Sequence, residues 1–163
     1  MQQVAAGDTI IANGDDVNVA KLRGDARGRW MTFGSDRRHT ISFDEAEFTP
    51  QETSFSAFWE GKEWFRFRTT LSGKHNVLNA LAVIATARLR GLDADAIQKG
   101  LETFQGIKRR MEVRGVERDV MVIDDFAHHP TAIATTLNGA RRRYPGQPLW
   151  ALFKPRSISS SRK

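Results

Sequence analysis

Residues 73–82, Gly-Lys-His-Asn-Val-Leu-Asn-Ala-Leu-Ala, mark the point at which the pattern of the chain changes. Aromatic and alternating residues precede this stretch, whereas apolar residues recur every three or four positions after it. That spacing puts the apolar side chains on one face and predicts a helix from His75 to Arg90, which Gly91 ends. A second amphipathic stretch predicts a helix over Ala94–Thr103. We therefore expect two helices that pack their apolar faces inward.

Short strands are predicted before residue 70. Thr9–Ala12 and Trp30–Phe33 are short apolar runs that end at turn residues. Phe55–Trp59 and Trp64–Arg68 carry aromatic residues at strand period, and the tight connection Glu60-Gly61-Lys62 between them predicts an antiparallel hairpin. Their Trp and Phe side chains are of the kind that stack on nucleic-acid bases, but packing in the core and hairpin is the favoured interpretation.

A different architecture is predicted after the polar linker at residues 105–110. The expected elements are strands at Met111–Val116 and Val120–Asp124, a helix from Pro130 to about Arg142, and a strand at Leu149–Phe153. Their order indicates a βαβ unit, which implies a parallel sheet with a ligand site at the carboxyl ends of its strands. We therefore divide the chain into domains at residues 1–106 and 107–163.

The composition bounds the class of protein. The 163 residues are 40% hydrophobic and 27% charged, which predicts a globular core and excludes wholesale disorder. The absence of cysteine excludes disulfides and cysteine-ligated metal centres, and it fits a cytosolic protein. No apolar run approaches the roughly 20 residues that a membrane span needs. The N-terminal residues show no signal-peptide pattern.

The net charge of +6 raises the possibility of a nucleic-acid partner. The excess of basic residues lies after Phe126, where the chain contains no Asp or Glu, and it includes one cluster at Arg141, Arg142 and Arg143. One such cluster is a weak footprint for nucleic acid, so we expect no nucleic-acid partner.

The strongest local motif is Asp124-Asp125-Phe126-Ala127-His128-His129-Pro130, where two acids end an apolar strand and two histidines precede a helix. Carboxylates at a strand end accept hydrogen bonds from ribose hydroxyls or hold a cation. Histidines at a helix N-terminus suit an anionic ligand. The alternative is helix capping with solvated histidines. A zinc site is disfavoured because no third ligand is nearby.

Three weaker motifs also allow two interpretations each. Asn76 and Asn79 share a helix face and suit the edge of a purine, or one of them caps the helix. The basic run Lys108–Arg110 suits a phosphate or forms a solvated turn. The run Phe153–Ser157 follows a predicted strand, so it faces a ligand or is a plain exit turn.

Taken in order, four motifs resemble the Mur ligase family of bacterial ATP-dependent peptide ligases. They are G-x-H-N-x-x-N-A-L-A at 73–82, R-R-M-E at 109–112, D-D-F-A-H-H-P-T-A-I at 124–133 and F-x-P-R-S at 153–157. The resemblance implies an α/β chain that holds the C-terminal part of the family's central, ATP-binding domain, built from a β meander plus helices. The start of a Rossmann-like C-terminal domain follows.

The resemblance also implies roles for matching residues. His75, Asn76 and Asn79 would contact adenine, Arg110 would reach the ribose–phosphate region, Asp125 would bind ribose hydroxyls, and His128 and Arg156 would face the acyl phosphate and the incoming peptide. The implied reaction uses ATP and Mg²⁺ to form a carboxyl phosphate on the lactyl group of UDP-N-acetylmuramate, which an amine then attacks.

Two members of the family share the D-D-[FY]-A-H-H-P signature. One adds L-alanine to UDP-N-acetylmuramate, and the other attaches a recovered tripeptide, L-Ala-γ-D-Glu-meso-diaminopimelate, during peptidoglycan recycling. The runs at residues 108–115, 131–133 and 155–157, together with Phe126, look like the tripeptide-adding member. We therefore favour that branch, with the alanine-adding branch as the alternative.

Several family features have no counterpart in this sequence. We find no phosphate loop of the form G-x-x-x-x-G-K-[ST], no UDP-binding domain and none of the acids and histidines that hold Mg²⁺ in the family. Lys154 stands where the tripeptide-adding branch has Glu. We therefore expect an internal fragment of a cytoplasmic bacterial ligase, inactive on its own. A non-catalytic module that binds a nucleotide or a partner protein is the competing hypothesis.

Overall fold

A computed structural model describes residues 4–25, 27–104 and 106–154 of the chain. In chain order, the elements are β1 (Thr9–Asn13), α1 (Val17–Lys21), a short 3-10 helix (Leu22–Asp25), β2 (Arg29–Gly34), β3 (Ile41–Phe48), β4 (Thr53–Trp59), β5 (Lys62–Thr69), α2 (Lys74–Leu89), α3 (Ala94–Thr103), β6 (Glu112–Glu117), β7 (Val120–Asp124) and α4 (Pro130–Arg143). The bounds of α3 are those predicted. No helix in these ranges combines the length and apolarity needed to cross a membrane.

The first five strands form one sheet in the order β1-β2-β3-β4-β5. β1 and β2 run parallel. β2 and β3 also run parallel, but they pair only at the carboxyl end of β2. β3, β4 and β5 form an antiparallel meander. The predicted hairpin between β4 and β5 is confirmed, and its turn residues Glu60 and Gly61 have positive φ angles of 51° and 78°. Such angles match the right-handed twist of the flanking strands.

Helix α2 packs across one face of this sheet and forms the core of the N-terminal unit, residues 4–104. Val77, Leu81 and Ile84 are completely buried on its inner face, at the helical spacing that the sequence showed. They belong to the same cluster as Phe55 and Phe67 of the sheet, whose ring centroids lie 6.1 Å apart. Burying side chains of this size contributes about 2 kcal/mol each, so this layer is a main source of stability.

Glycines bound α2 at both ends. Gly73 is the N-cap with φ of 96°, and Gly91 follows the C-terminal end with φ of 86°. These angles are strained for any residue with a Cβ atom. The N–H of Gly91 donates to the carbonyl oxygen of Arg88 at 2.9 Å and closes the last turn. The helix therefore starts at Lys74, one residue before the predicted start, and ends at Leu89, one residue before the predicted end, with Arg90 as the C-cap ahead of Gly91.

Helix α3 covers the open edge of β5. Its Gln98, only 8% exposed, accepts a hydrogen bond from the backbone N–H of Arg68 at 2.9 Å and donates one to the carbonyl oxygen of the same residue at 3.3 Å. The guanidinium of Arg68 also pairs with Glu102 at 2.9 Å. The glutamine amide thus takes the place of a neighbouring strand and protects the sheet edge.

The aromatic side chains of the hairpin pack within the protein. The rings of Trp59 and Trp64 meet edge to face with their centroids 6.1 Å apart. The guanidinium of Arg88 lies over both rings, 4.4 and 4.1 Å from their centroids. These cation–π contacts tie the last turn of α2 to the hairpin. The packing interpretation of the aromatic pattern is therefore confirmed.

The C-terminal unit, residues 106–154, departs from the predicted parallel sheet. β6 and β7 pair antiparallel in a two-stranded sheet, and residues 149–153 form no strand. The predicted βαβ unit is therefore wrong within the described residues. Trp150 is 86% exposed and Leu152 is 95% exposed. An apolar stretch becomes a buried parallel strand only where another strand pairs with its backbone and layers cover both faces. Within residues 106–154, β7 has no such second neighbour.

Helix α4 belongs to the C-terminal unit and contacts the N-terminal unit. Its Gly139 and Ala140 are buried, and the Nε atom of Arg143 donates to the carbonyl oxygen of Pro50 at 3.0 Å, in the turn between β3 and β4. The guanidinium of Arg142 lies 5.9 Å from the ring centroid of Phe48. These contacts hold the C-terminal unit against the N-terminal unit.

Replacing Gln98 by leucine removes both hydrogen bonds to Arg68 and leaves its N–H and C=O without partners beneath α3. We expect the free energy of unfolding to fall by about 1–3 kcal/mol, measured by urea denaturation. The matched control is Lys99→Leu, the next and exposed position on α3, for which a change below about 0.5 kcal/mol is expected. Equal losses in the two variants would contradict the role of Gln98.

Candidate functional site

The N-terminus of α2 lies where the two units meet. The half-buried ring of His75 lies against Gly73, and its Cε1 atom would be 4.0 Å from a Cβ atom placed on Gly139 of α4. Burial lowers the pKa of His75 below its usual 6.5, the negative charge of Asp125 opposes this effect, and the positive charge of Arg110 adds to it. Asp125 and Arg110 are therefore both near enough to His75 to influence its charge. We call this place, defined by His75, Arg110 and Asp125, the seam.

Asn76 and Asn79 lie on one face of α2 beside the seam. The Nδ2 atom of Asn76 donates to the carbonyl oxygen of Ser72 at 2.7 Å, and that of Asn79 donates to Oδ1 of Asn76 at 3.4 Å. The N-cap of the helix is Gly73, and no side chain forms a cap hydrogen bond there. The helix-capping interpretation of these asparagines is therefore wrong. An exposed amide such as Asn79 supplies a donor and an acceptor side by side, as a purine edge requires.

Asp125 is held by three hydrogen bonds at the carboxyl end of β7. Its Oδ1 atom accepts from the N–H of Ala127 at 2.8 Å and from the hydroxyl of Thr136 at 3.2 Å. Its Oδ2 atom accepts from the N–H of Met111 at 2.9 Å. The carboxylate therefore joins the end of β7, the linker before β6 and helix α4, and its orientation is set by all three.

The linker before β6 is bent and anchored. Arg109 and Met111 have positive φ angles of 62° and 51°, which cost non-glycine residues about 1–3 kcal/mol each. The N–H of Phe126 donates to the carbonyl oxygen of Arg109 at 2.8 Å, and the Nε atom of Arg109 lies 3.4 Å from Oδ2 of Asp124. The guanidinium of Arg110 lies 5.9 Å from the Phe126 ring centroid. Residues 108–110 form an exposed turn, as the solvated-turn alternative predicted, and these contacts hold the turn in place.

His128 and His129 precede α4, and both are exposed. The Nδ1 atom of His128 lies 3.0 Å from the carbonyl oxygen of Phe126. His129 is the N-cap, without a side-chain cap hydrogen bond, and the helix begins at Pro130 as predicted. Both histidines are thus solvated and one of them occupies the N-cap position, as the alternative interpretation predicted, although no side chain forms a cap hydrogen bond there. Arg156 lies outside the described residues.

Thr136 and Gly139 belong to the site although no motif singled them out. Thr136 reaches back from the second turn of α4 to Asp125. Gly139, one turn further on, leaves room for α4 beside His75. Both residues occupy ordinary helix positions in the sequence, so no spacing signal marks them. Their roles depend on how α4 folds back against β7.

Two shallow concavities lie away from the seam. One, of about 390 Å³, is lined in part by Glu47 and Arg66, which pair at 3.3 Å. The other, of about 290 Å³, lies beside His39, whose Nε2 atom is 3.2 Å from Oδ1 of Asp15. Since these polar side chains pair with each other, we assign them no ligand. In the described ranges, no group of three or more His, Asp or Glu side chains is arranged to hold a metal ion.

Both units of the chain match parts of a known protein family. Residues 1–87 match the description "Mur ligase middle domain", and residues 109–162 match "Mur ligase, glutamate ligase domain". The chain belongs to the Mur ligase family. The expected fold class, a mixed α/β chain with parts of the central and C-terminal domains of this family, is confirmed by these matches and by solved structures.

Individual Mur ligases show how much of a family member the chain represents. The UDP-N-acetylmuramate–L-alanine ligase of Clostridium acetobutylicum is 38% identical over 154 residues, which cover 92% of this chain and 32% of that protein. The solved UDP-N-acetylmuramate-alanine ligase of Thermotoga maritima superposes with a TM-score of 0.72 at 29% identity, over 83% of this chain and 30% of the other. A murein peptide ligase from Psychrobacter arcticus superposes with a TM-score of 0.63 at 32% identity, over 94% and 32%. The chain therefore spans about a third of the Mur ligases that it matches.

The relatives correct one expectation from the motifs. The motifs favoured the tripeptide-adding branch, whereas the curated Mur ligases at 37–40% identity are named L-alanine ligases. The expectation rested on Phe126 and on the runs at residues 108–115, 131–133 and 155–157, the last of which lies outside the described residues. The alternative branch is thus the better supported one.

The pKa of His75 predicts a pH dependence of stability. Because burial holds this pKa below 6.5 in the folded chain, the unfolded chain binds a proton first as the pH falls. Stability is therefore lost as the pH falls from about 6.5 toward the lowered pKa. We expect His75→Gln to make the free energy of unfolding depend less steeply on pH between about pH 7 and pH 5. One proton can change this slope by at most about 1.4 kcal/mol per pH unit, and we expect a smaller change.

The measurement is urea denaturation across this pH range. His129→Gln, which replaces an exposed imidazole at the start of α4, is the matched control and should keep the slope of the original chain. A slope that is unchanged in His75→Gln would contradict the burial of this imidazole.

Proposed function

We propose that the seam binds ATP between the two units, with adenine on the side of α2 and ribose on the side of β7. The observation that carries this proposal is the carboxylate of Asp125, which three hydrogen bonds fix at the carboxyl end of a strand. The carboxylate lies near His75 and Arg110, where the two units meet, and a carboxylate oxygen can accept a hydrogen bond from a ribose hydroxyl. Asn76 and Asn79 would offer amide groups to the purine edge, beside His75. Arg110 would neutralise phosphate charge.

As part of a Mur ligase, the seam would serve an ATP-dependent ligation. The ligases of this family use ATP and Mg²⁺. The proposed reaction transfers a phosphoryl group from ATP to the carboxylate of UDP-N-acetylmuramate, and an amine then displaces the phosphate. Such chemistry depends on positioning and charge neutralisation and needs no covalent protein nucleophile. This chain would orient the adenosine, and His128 and Arg156 would face the reacting groups. We assign it no metal ligand.

For the incoming amine we propose L-alanine. The support is the similarity to L-alanine ligases of several bacteria, each 37–40% identical. A second candidate is the tripeptide, which is favoured by the 32% identity to the Psychrobacter arcticus murein peptide ligase over 94% of this chain. Both candidates share UDP-N-acetylmuramate as the other substrate, so the nucleotide site does not distinguish them.

Calorimetric titration with ATP tests the nucleotide site. We expect Asp125→Ala to weaken binding by about tenfold or more, and Asn79→Ala by about threefold to tenfold, since each loses a hydrogen bond to the nucleotide. The control is Asp119→Asn in the turn between β6 and β7, which should bind as the original chain does. Absence of ATP binding, or equal affinity in Asp125→Ala, would refute the proposed site.

A chimera tests the acceptor. The isolated chain should release no phosphate from ATP with UDP-N-acetylmuramate and either amine. This chain is then substituted for the matching third of the Clostridium acetobutylicum ligase. We expect phosphate release that depends on L-alanine, with the parent ligase as the control. Release that depends on the tripeptide instead would favour the second candidate.

A further inference from the structure

Among the helical threonines that lie beyond the first turn of their helix, the hydroxyl of one forms a different hydrogen bond from the others. The hydroxyls of Thr86, Thr103 and Thr135 each donate to the carbonyl oxygen four residues earlier, at 2.8 to 2.9 Å. This back-bond is common for threonine in a helix. Thr136 instead donates to Oδ1 of Asp125 at 3.2 Å. Its hydroxyl therefore supports the seam.

The hydrogen bonds to Asp125 are unequally divided between its two oxygens. Oδ1 accepts from Ala127 and Thr136, at 2.8 and 3.2 Å, whereas Oδ2 accepts from the N–H of Met111 at 2.9 Å. A carboxylate oxygen has about two acceptor positions. In the described part of the chain, Oδ1 is therefore saturated, and Oδ2 has room for one further donor. Asp125 therefore has one open acceptor position for a ligand hydroxyl, on one defined oxygen.

We propose that Thr136 is a positioning residue that restricts Asp125 to a single ribose hydroxyl, accepted by Oδ2. The inference rests on the proposed nucleotide site. Without the Thr136 hydroxyl, one backbone N–H on each oxygen is all that holds the carboxylate, and it gains freedom to turn about its Cβ–Cγ bond. Either ribose hydroxyl then finds an acceptor. Thr136 thus determines which hydroxyl the site selects, in addition to the strength of binding.

The test compares three variants of the full chain. Thr136→Val removes the hydroxyl and keeps the shape of the side chain, and Thr136→Ser restores a hydroxyl. Thr135→Val is the matched control, because the neighbouring hydroxyl donates to the carbonyl oxygen of Thr131 and not to Asp125. Each protein is titrated with ATP, 2′-deoxy-ATP and 3′-deoxy-ATP by calorimetry.

We expect the original chain to bind one of the two deoxynucleotides about tenfold more weakly than the other, since only one hydroxyl contacts Oδ2. In Thr136→Val this ratio should fall to within about twofold, and ATP should bind about threefold to fivefold more weakly. Thr136→Ser and Thr135→Val should keep the original ratio. A general loss of structure would weaken all three nucleotides equally, so the ratio separates positioning from a structural role.

A second measurement needs no nucleotide. The ¹³Cγ resonance of Asp125 responds to hydrogen bonds at its carboxylate. We expect it to shift in Thr136→Val and to stay in place in Thr136→Ser and Thr135→Val, with unchanged melting temperatures. Thr136→Ala carries the same expectation and replaces Thr136→Val if the valine variant does not fold.

The two proposals fail in different ways. An unshifted Asp125 resonance in Thr136→Val, or an unchanged deoxynucleotide ratio while Asp125→Ala loses affinity, overturns the role of Thr136 and leaves the nucleotide site intact. No ATP binding, or full affinity in Asp125→Ala, overturns the nucleotide site and with it the selection of a ribose hydroxyl.

Discussion

The burial of one face of α2 against the sheet is the contact on which the rest of the structure depends. Val77, Leu81 and Ile84 are completely buried there, and close packing leaves the helix no freedom to rotate. The direction of its N-terminal end is therefore set by the core. His75 and Asn76 lie at that end and are carried to the place where the C-terminal unit meets the sheet. Core packing thus also determines where the polar residues of the seam lie.

A second constraint comes from the carboxylate of Asp125. Arg109 and Met111 hold left-handed backbone angles at a cost of about 1–3 kcal/mol each. Hydrogen bonds to an ionised carboxylate contribute about 1.5–3 kcal/mol each, and Asp125 accepts three of them, one from Met111 itself. One of these hydrogen bonds, from Met111, acts on the linker, so the carboxylate offsets part of the strain there. The residue proposed to bind ribose therefore also shapes the segment that presents Arg110.

Much of the fold follows from local preferences that a single sequence displays. The apolar period after Gly73 and the stop at Gly91 predicted α2, and the aromatic hairpin followed from strand period and a glycine turn. Order and spacing of motifs across residues 73–157 indicated the Mur ligase family, which the family matches confirm. The acceptor was harder to predict, because both branches share the D-D-[FY]-A-H-H-P signature and part of the evidence for the tripeptide, residues 155–157, lies outside the described residues.

The sequence by itself determined the helices, the hairpin and the candidate residues at strand and helix ends, because each depends on periodic burial or on backbone angles within a few residues. Tertiary structure alone decided the antiparallel pairing of β6 with β7 and the exposure of residues 149–153, because pairing and burial require partners distant in the chain. It also decided that Gln98 closes the edge of β5 and that Thr136 orients Asp125. Both contacts join residues on different elements, and their distances are set only when packed layers bring those elements together.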